Sequence, residues 1–415
     1  KLDKLTGAPP DAFTEMGQNW HMPAYDWERM ARDGFAWWRA RLRWMSGYFH
    51  ALRIDHVLGY FRLWELPCHA VTGLGGRFSP SHAIGKEELD ARGLWDRQRL
   101  SRPYVRAHLL ERRFGAGWEA VARRFLDQGQ HGVYGFKPGL DTEAALLDSM
   151  ERDPLTVQGM SKEQVLEGLL VMLNDRCLIR DEKAPDDRFH PRVRLWETDS
   201  FAQLGQDWQL KLKELHDAYL SWKQESLFEA TARERLKILQ TSSNMLLVGE
   251  DLGPSPACLP KVLADLAIPG LRIPSVTAGP PAQYPYLSVA ASSSHDMSTL
   301  AAWWESLDDA GRVSVWSDME GSGDPPKQCS PDVARHMLLK LLASPSLLTL
   351  IPLQDLLATW GEFASKDPKG DRVNTPGREH YWRWRCGASL EDIGSSAGFQ
   401  EMIRSLVQTA GRLVR

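Results

Sequence analysis

The sequence has little cysteine, no strong charge of either sign and no long apolar run. Its five cysteines are scattered without a CxxC pair, which argues against a disulfide framework or a zinc site and favours reduced thiols in the cytoplasm. The net charge of −4 argues against nucleic acid or an anionic membrane as the main partner. No stretch approaches the roughly 18 consecutive apolar residues of a membrane span. We therefore expect a cytoplasmic globular protein with no metal site and no cofactor.

Tryptophan, in contrast, is abundant, with 17 among 415 residues. The indole offers a flat apolar face with a donor at its edge, which suits stacking on sugar rings as well as core packing. The aromatic stripe from Phe35 to Phe49 recurs at helical spacing, and we assign it to the core. The length fits one large α/β domain or two ordinary ones.

Helices and strands alternate in two separated regions of the chain. Apolar spacing predicts a helix over residues 26–49, then a strand, and a second alternating region after residue 240. The predicted strands end near Asp55, Glu250, Ile273, Asp296 and Leu353. Strands separated by helices predict βαβ units and hence a parallel sheet or barrel. Residues 68–225, between the two regions, are charged and mostly helical in pattern.

The first of these strands carries an unusual pair of charges, Arg53 and Asp55. Residues two apart on a strand share a face, so the guanidinium and the carboxylate are expected to project together. A guanidinium keeps a neighbouring carboxylate ionised, and an ionised carboxylate at a strand end is what a glycosidic nucleophile requires. A structural Arg–Asp ion pair is the alternative interpretation of these residues alone.

Carboxylates also end two other predicted strands, at Glu250 and Asp296. Catalytic groups of (β/α)8 barrels lie at the carboxyl ends of the strands. Crowded carboxylates have their pKa values pushed apart, so that one stays ionised as a nucleophile and one stays protonated as an acid. That pair is what retaining glycoside chemistry needs. Asp251 we interpret as a helix cap.

Six ordered segments resemble the 4-alpha-glucanotransferases, the amylomaltase or disproportionating-enzyme family of retaining α-glucan enzymes. They are residues 7–11, 17–20, 53–56, 249–253, 295–296 and 372–377. The sequence is most similar to the cytosolic plant and algal disproportionating enzyme 2 branch. That similarity includes residues 37–42, residues 63–67 and a long insertion between the nucleophile and the acid/base.

The resemblance implies a (β/α)8 TIM-type barrel represented here by its C-terminal five strands only, with a large, mostly helical insertion. It divides the chain into a first barrel segment (1–67), the insertion (68–225) and a second barrel segment (226–415). The family's catalytic domain begins with barrel strands that would precede Leu5. Five strands cannot close an eight-stranded barrel, so we expect residues 1–415 alone to be poorly stable and little active.

Residue by residue, the resemblance implies Asp55 as the nucleophile, Glu250 as the general acid/base and Asp296 as the stabiliser of the distorted sugar. Arg53 and His295 would contact these carboxylates. Residues that line the glucan site in the family correspond to Asp11, Gln18, Trp20 and Asn374. Trp20 is either a platform on which a sugar ring stacks or a packed core residue. His56 either contacts the ligand or donates a hydrogen bond to a residue that does. His21-Met22-Pro23 departs from the family, which usually has a glycine and an aromatic residue before the proline.

The implied reaction transfers glucosyl units between α-1,4-glucans, from maltose or a malto-oligosaccharide to a glycogen- or starch-like acceptor. An α-glucan hydrolase would use the same three carboxylates with water as the acceptor. An inactive glucan-binding fragment is a further alternative.

Overall fold

The structure is a computed structural model that describes residues 1, 3–11, 14–181, 184, 186–375 and 382–412. The strands are β1 (Lys4–Ala8), β2 (Gln18–Pro23), β3 (Ala51–Ile54), β4 (Leu63–Pro67), β5 (Arg77–Ser79), β6 (Ile84–Gly85), β7 (Val105–Arg106), β8 (Leu126–Gln128), β9 (Val133–Phe136), β10 (Leu178–Arg180), β11 (Arg188–Pro191), β12 (Leu246–Gly249), β13 (Gly270–Arg272), β14 (Ser288–Ala291) and β15 (Leu348–Leu350).

The helices are α1 (Trp27–Arg32), α2 (Ala36–Ser46), α3 (Leu58–Phe61), α4 (Lys86–Ala91), α5 (Arg97–Ser101), α6 (Ala107–Phe114), α7 (Trp118–Phe125), α8 (Glu143–Arg152), α9 (Lys162–Leu173), α10 (Asp199–Ala202), α11 (Gln206–Leu220), α12 (Trp222–Gln240), α13 (Leu259–Asp265), α14 (Leu300–Ser306), α15 (Asp309–Asp318), α16 (Pro331–Leu342), α17 (Leu353–Leu357), α18 (Leu390–Ser395) and α19 (Ala397–Thr409). Short 3₁₀ turns cover Gly115–Gly117, Gln130–Gly132, Leu195–Glu197 and Pro281–Gln283.

The chain divides into two units. The first comprises Lys1–Arg39, Leu58–Ile238 and Pro256–Cys258, and the second comprises Ala40–Val57, Leu239–Ser255 and Leu259–Arg415. The division into segments 1–67, 68–225 and 226–415 stays a prediction.

The second unit is built on a five-stranded sheet of order β15-β14-β13-β12-β3, in which every neighbouring pair is parallel. The five parallel strands expected from the alternating pattern are thereby confirmed. All four residues of β14 are buried, as in parallel strands covered on both faces. The edge strands of this sheet, β3 and β15, are more open, and Leu350 of β15 is 60% exposed.

Apolar side chains of the helices that follow β14 form one core of this unit. It surrounds Trp304, whose side chain is fully buried, and includes residues of α14 and α16. Both helices begin at a hydroxyl cap, because Thr299 accepts from the N–H of Ala302 and Ser330 accepts from the N–H of Val333. These caps satisfy backbone donors at the first turn and fix where each helix starts.

The described residues of the first unit form three antiparallel sheets, of order β2-β1-β4-β5, β10-β11-β6 and β7-β9-β8. Its helices bury two separate apolar clusters, one from residues 105–173 and one from residues 84–219. The helical pattern within residues 68–225 includes α9, which begins with a capping box between Ser161 and Gln164.

The single helix predicted over residues 26–49 is wrong, because the chain breaks between α1 and α2. Gly34 and Phe35 have φ of 65° and 59°, a left-handed conformation that no α-helix continues through. The assignment of the aromatic stripe to the core holds for Phe35 and Trp38, each 7% exposed, and fails for Phe49, which lies beyond α2 and is 57% exposed.

Within the described residues no helix is both long and apolar enough to cross a bilayer. All five cysteines are free thiols.

Candidate active site

The parallel pairing of β3 and β12 places two carboxylates at the same edge of the sheet. Arg53 is in register with Val248, and Ile54 with Gly249. Asp55 and Glu250 are therefore the next residues of two neighbouring strands, as the sequence predicts. The predicted ion pair is confirmed, since Nη1 of Arg53 lies 2.6 Å from Oδ1 of Asp55.

The Asp55 carboxylate is open to solvent. Its side chain is 76% exposed, whereas the preceding Ile54 is only 5% exposed. This alternation fits a strand with one covered face. An exposed, guanidinium-paired carboxylate at the carboxyl end of a strand is accessible to a substrate.

Glu250 is half-buried and held by backbone donors. Its Oε2 accepts from the N–H of His56 at 2.9 Å, and its Oε1 accepts from the N–H of Leu252 at 2.8 Å. Burial is the largest influence and raises the pKa of Glu250, and the charge of Asp55 also raises it. The two backbone hydrogen bonds and Arg53 oppose that rise. The net raised pKa suits a group that gives up and recovers a proton.

His56 forms the turn that follows the nucleophile candidate. Its φ of 46° places it in the left-handed region, which is uncommon outside glycine and costs about 1–3 kcal/mol. Burial lowers the pKa of the imidazole, and the charge of Asp55 only partly opposes this. The ring is therefore neutral near neutral pH. A neutral imidazole can both donate and accept a hydrogen bond.

The cap expected at Asp251 is wrong. Its Oδ1 accepts from the N–H of Leu271 at 2.7 Å and its Oδ2 accepts from Nη1 of Arg272 at 3.0 Å. The side chain is 7% exposed and ties the end of β12 to β13. The next helix begins only at Leu259. No local sequence pattern signals a contact made across two strands.

Asp296 lies in a loop beyond its strand, because β14 ends at Ala291, five positions earlier. His295 Nε2 lies 3.1 Å from Oδ2 of Asp296, and Asn374 donates from Nδ2 to Oδ1 at 2.5 Å. Arg372 donates to the Asp296 carbonyl at 2.8 Å. The structure thus places Asn374, which the resemblance assigns to the glucan site, in contact with the Asp296 carboxylate.

Two residues near Asp296, Arg372 and Trp382, were not singled out from the sequence as site residues. Arg372 belongs to one of the quoted segments, whose Pro376 and Gly377 lie outside the described residues. The Trp382 ring lies 5.6 Å from that of His295 at an interplanar angle of 34°. Trp382 is 57% exposed, so its ring is accessible beside the carboxylate cluster.

One cavity adjoins the Asp296 loop, and a larger one adjoins that cavity. A cavity of about 260 Å³ is lined by Ser293, Ser294, His295, Met297, Thr299, Pro352, Gln354, Asp371 and Val373. A larger one of about 830 Å³ shares Gln354 and Asp371 with it and is bordered by Trp384. Among the described residues no group of three or more His, Cys, Asp or Glu side chains is arranged to hold a metal ion.

Three predicted glucan-lining residues belong to the first unit, whereas the three carboxylates belong to the second. Asp11 accepts from the N–H of Thr14 at 2.6 Å in a tight turn. Gln18 and Trp20 lie on β2, where the indole N–H donates to Oε1 of Gln18 at 3.0 Å. Both side chains are partly exposed.

Carboxylates that follow the strands of a parallel α/β sheet define an enzyme-type site.

The sequence profile of the family described as 4-alpha-glucanotransferase matches residues 1–389. The 4-alpha-glucanotransferase DPE2 of Oryza sativa subsp. japonica is 41% identical over 424 residues, covering 99% of this chain and 44% of the rice protein. The 4-alpha-glucanotransferase of Chlamydia trachomatis serovar D is 23% identical over 412 residues, covering 96% and 50%.

The chain therefore belongs to the 4-alpha-glucanotransferase family. Among solved structures, it is similar to the amylomaltase from Streptococcus agalactiae in complex with acarbose, with a TM-score of 0.51 and 16% identity over 99% of this chain and 51% of that one. This likeness supports a TIM-barrel-like α/β fold. It does not test whether residues 68–225 are an insertion. The chain spans about half the length of the curated relatives it matches.

Proposed function

We propose that this chain carries the catalytic carboxylates of a retaining 4-alpha-glucanotransferase. In the first displacement, the Glu250 carboxyl donates its proton to the glycosidic oxygen as that bond breaks. An oxygen of the Asp55 carboxylate bonds to C1 of the glucosyl unit, and a shortened glucan leaves with a free 4-hydroxyl. The result is a covalent glucosyl ester on Asp55.

The second displacement reverses these roles. The 4-hydroxyl of an acceptor glucan gives its proton to the Glu250 carboxylate while its oxygen bonds to C1. The ester bond to Asp55 breaks, and the carboxylate is regenerated. Because C1 is inverted twice, the product keeps the α configuration of the donor.

The remaining polar groups support the charge that develops between the two steps. Asp296, oriented by His295 and Asn374, is the proposed stabiliser of the oxocarbenium-like sugar. Arg53 pairs with the Asp55 carboxylate at 2.6 Å, and the neutral His56 ring is a proposed hydrogen-bond partner of the sugar. Placing opposite charge where positive charge develops lowers the barrier.

The proposed donor is maltose or a malto-oligosaccharide, and the proposed acceptor is a glycogen- or starch-like glucan. The resemblance to the plant branch and the rice relative support this choice. Asp11, Gln18 and Trp20 are proposed to line the glucan path, with the partly exposed indole of Trp20 as a sugar platform. Residues 68–225 are proposed to be an insertion of that branch. The cytoplasm is the proposed compartment, which the five free thiols favour.

The observation that carries the proposal is the pair formed by Asp55 and Glu250. One carboxylate is exposed and paired with a guanidinium, and its neighbour on the next strand has a raised pKa. The test compares wild type with Asp55→Asn and Glu250→Gln in glucosyl transfer from maltose to glycogen. Transfer at a near wild-type rate by Asp55→Asn would overturn the mechanism.

A hydrolase with the same carboxylates would differ in its acceptor alone. Product analysis with and without added glucose separates the two functions, because a transferase builds longer glucans on the added sugar. The open edge strands β3 and β15 favour the weaker alternative of an inactive glucan-binding fragment. A cooperative melt together with full turnover by residues 1–415 would exclude it.

A further inference from the structure

Asp355, in α17, is the one acidic side chain among the described residues that is 0% exposed. We propose that it is a positioning residue for Asp296, holding both ends of the loop that carries this carboxylate. The role of Asp296 itself rests on the proposed function. The tie between Asp355 and the loop rests on the contacts of Asp355 alone.

The carboxylate of Asp355 bonds to the two ends of that loop through different oxygens. At the beginning of the loop, Ser292 and Ser293 donate their hydroxyls to Oδ2 at 2.6 and 2.7 Å. At the end of the loop, the N–H of Leu300 donates to Oδ1 at 2.8 Å. His295 and Asp296 lie between these anchor points.

Burial makes these three contacts strong constraints. Ser292 is 2% exposed, Ser293 is 7% exposed and Leu300 is 1% exposed, so water does not compete for the same atoms. If a donor is removed, the buried acceptor is left without a partner, and the protein is destabilised by the full desolvation free energy of that acceptor. The loop between the anchor points is more open, and the Asp296 side chain is 42% exposed. A preorganised site needs this arrangement, in which buried residues fix the backbone on both sides of an accessible functional side chain.

The anchor sites explain sequence features that the catalytic residues do not require. Two consecutive serines follow the fully buried strand β14, and the acidic residue that they contact comes 62 and 63 positions later. Thr299 separately caps α14 through its own hydroxyl. The Leu300 N–H is thus left to bond Asp355 and does not need a local cap.

The test uses the full chain with two changes at the anchor sites, Ser292→Ala with Ser293→Ala in one protein and Asp355→Asn in another. Ser346→Ala is the matched control. Ser346 is 3% exposed and its hydroxyl bonds to that of Ser288, the first residue of β14, at 2.8 Å. The control therefore removes a buried hydrogen bond to this strand without changing the Asp296 loop. Backbone hydrogen exchange by mass spectrometry and the kcat and KM of glucosyl transfer are measured on all three.

We expect the serine variant to fold and its exchange over residues 293–300 to rise at least about tenfold, with β3 and β12 unchanged. Its kcat should fall about 10- to 100-fold with KM within about twofold, because small misplacements of a catalytic group cost rates of that size. The control should change neither quantity. Asp355→Asn should act in the same direction.

Unchanged exchange and unchanged kcat in a folded serine variant would overturn the inference. A serine variant that fails to fold, or whose exchange rises throughout the second unit, would assign Asp355 to global stability and also overturn it. Absence of transfer by the wild-type chain would favour the alternative of an inactive glucan-binding fragment, and the exchange measurement would still decide the positioning role.

Discussion

The backbone N–H of His56 donates a 2.9 Å hydrogen bond to Oε2 of Glu250, although the two residues are 194 positions apart. His56 directly follows Asp55, so the turn after the proposed nucleophile holds the proposed acid/base. The backbone of Glu250 makes two further hydrogen bonds to the same segment. Its N–H donates to the carbonyl of Ile54 at 2.9 Å, and its carbonyl accepts from the N–H of Val57. These hydrogen bonds therefore fix the backbone of the two segments that carry the proposed catalytic groups relative to each other.

Glu250→Gln should strongly lower the rate of glucosyl transfer and leave the fold intact. Positioned proton transfer contributes about 10²–10⁴-fold, and kcat should fall by that amount. The amide oxygen can accept one of the two N–H groups that Glu250 now holds, so we expect a cost of about 1–3 kcal/mol in unfolding free energy. Glu401→Gln, an exposed change on α19, is the matched control and should change neither kcat nor the melt. Wild-type kcat in Glu250→Gln would contradict the assigned role.

The charges of Asp55 and Arg53 should shift the pKa of Glu250 in opposite directions. Burial is the main cause of its raised pKa, Asp55 adds to the rise and Arg53 opposes it. NMR titration of the Glu250 side-chain carboxyl carbon should therefore report a lower pKa in Asp55→Asn and a higher one in Arg53→Met. Shifts of the same sign in both variants would show that the Glu250 carboxyl does not sense this ion pair.

The raised pKa of Glu250 also fixes the sign of its effect on stability. The folded state binds the proton more tightly than the unfolded state, so the stabilising contribution is complete below the ordinary value of 4.5 and is lost as the pH rises through the folded-state pKa. Glu250→Gln removes this titration. Denaturant unfolding of wild type and variant at several pH values from 4 upward should show a smaller loss of stability with rising pH in the variant, and parallel curves would contradict the prediction.

Gly270→Ala should destabilise the second unit. A Cβ at this position would lie 2.2 Å from Oδ2 of Asp251, which is fixed between β12 and β13. Overpacking of this kind costs about 1–3 kcal/mol, measured as a lower denaturation midpoint. Gly361→Ala is the control, since no atom lies within 4 Å of its added Cβ, and it should stay within about 0.5 kcal/mol. Equal midpoints for the two variants would show that β13 shifts freely.

The sequence predicts the parallel strands and the Arg53–Asp55 pair because both are local patterns. Apolar runs bounded by helices specify βαβ units, and residues two apart on a strand share a face. The break at Gly34 and Phe35 escaped prediction because the apolar spacing continues across it. Asp251 and Asp355 escaped because each acts on partners 20 or more positions away. A carboxylate that braces two strands or a loop has no local signature to distinguish it from a helix cap.

The most direct test of the account is to trap the covalent intermediate on Asp55. In Glu250→Gln, an α-glucosyl fluoride donor needs no protonation to lose fluoride, so the first displacement proceeds, while the second lacks its base and the ester accumulates. Mass spectrometry of a peptic digest should find one hexosyl group on the peptide that contains Asp55. A hexosyl group on a different peptide, or wild-type transfer by Asp55→Asn, would contradict the account.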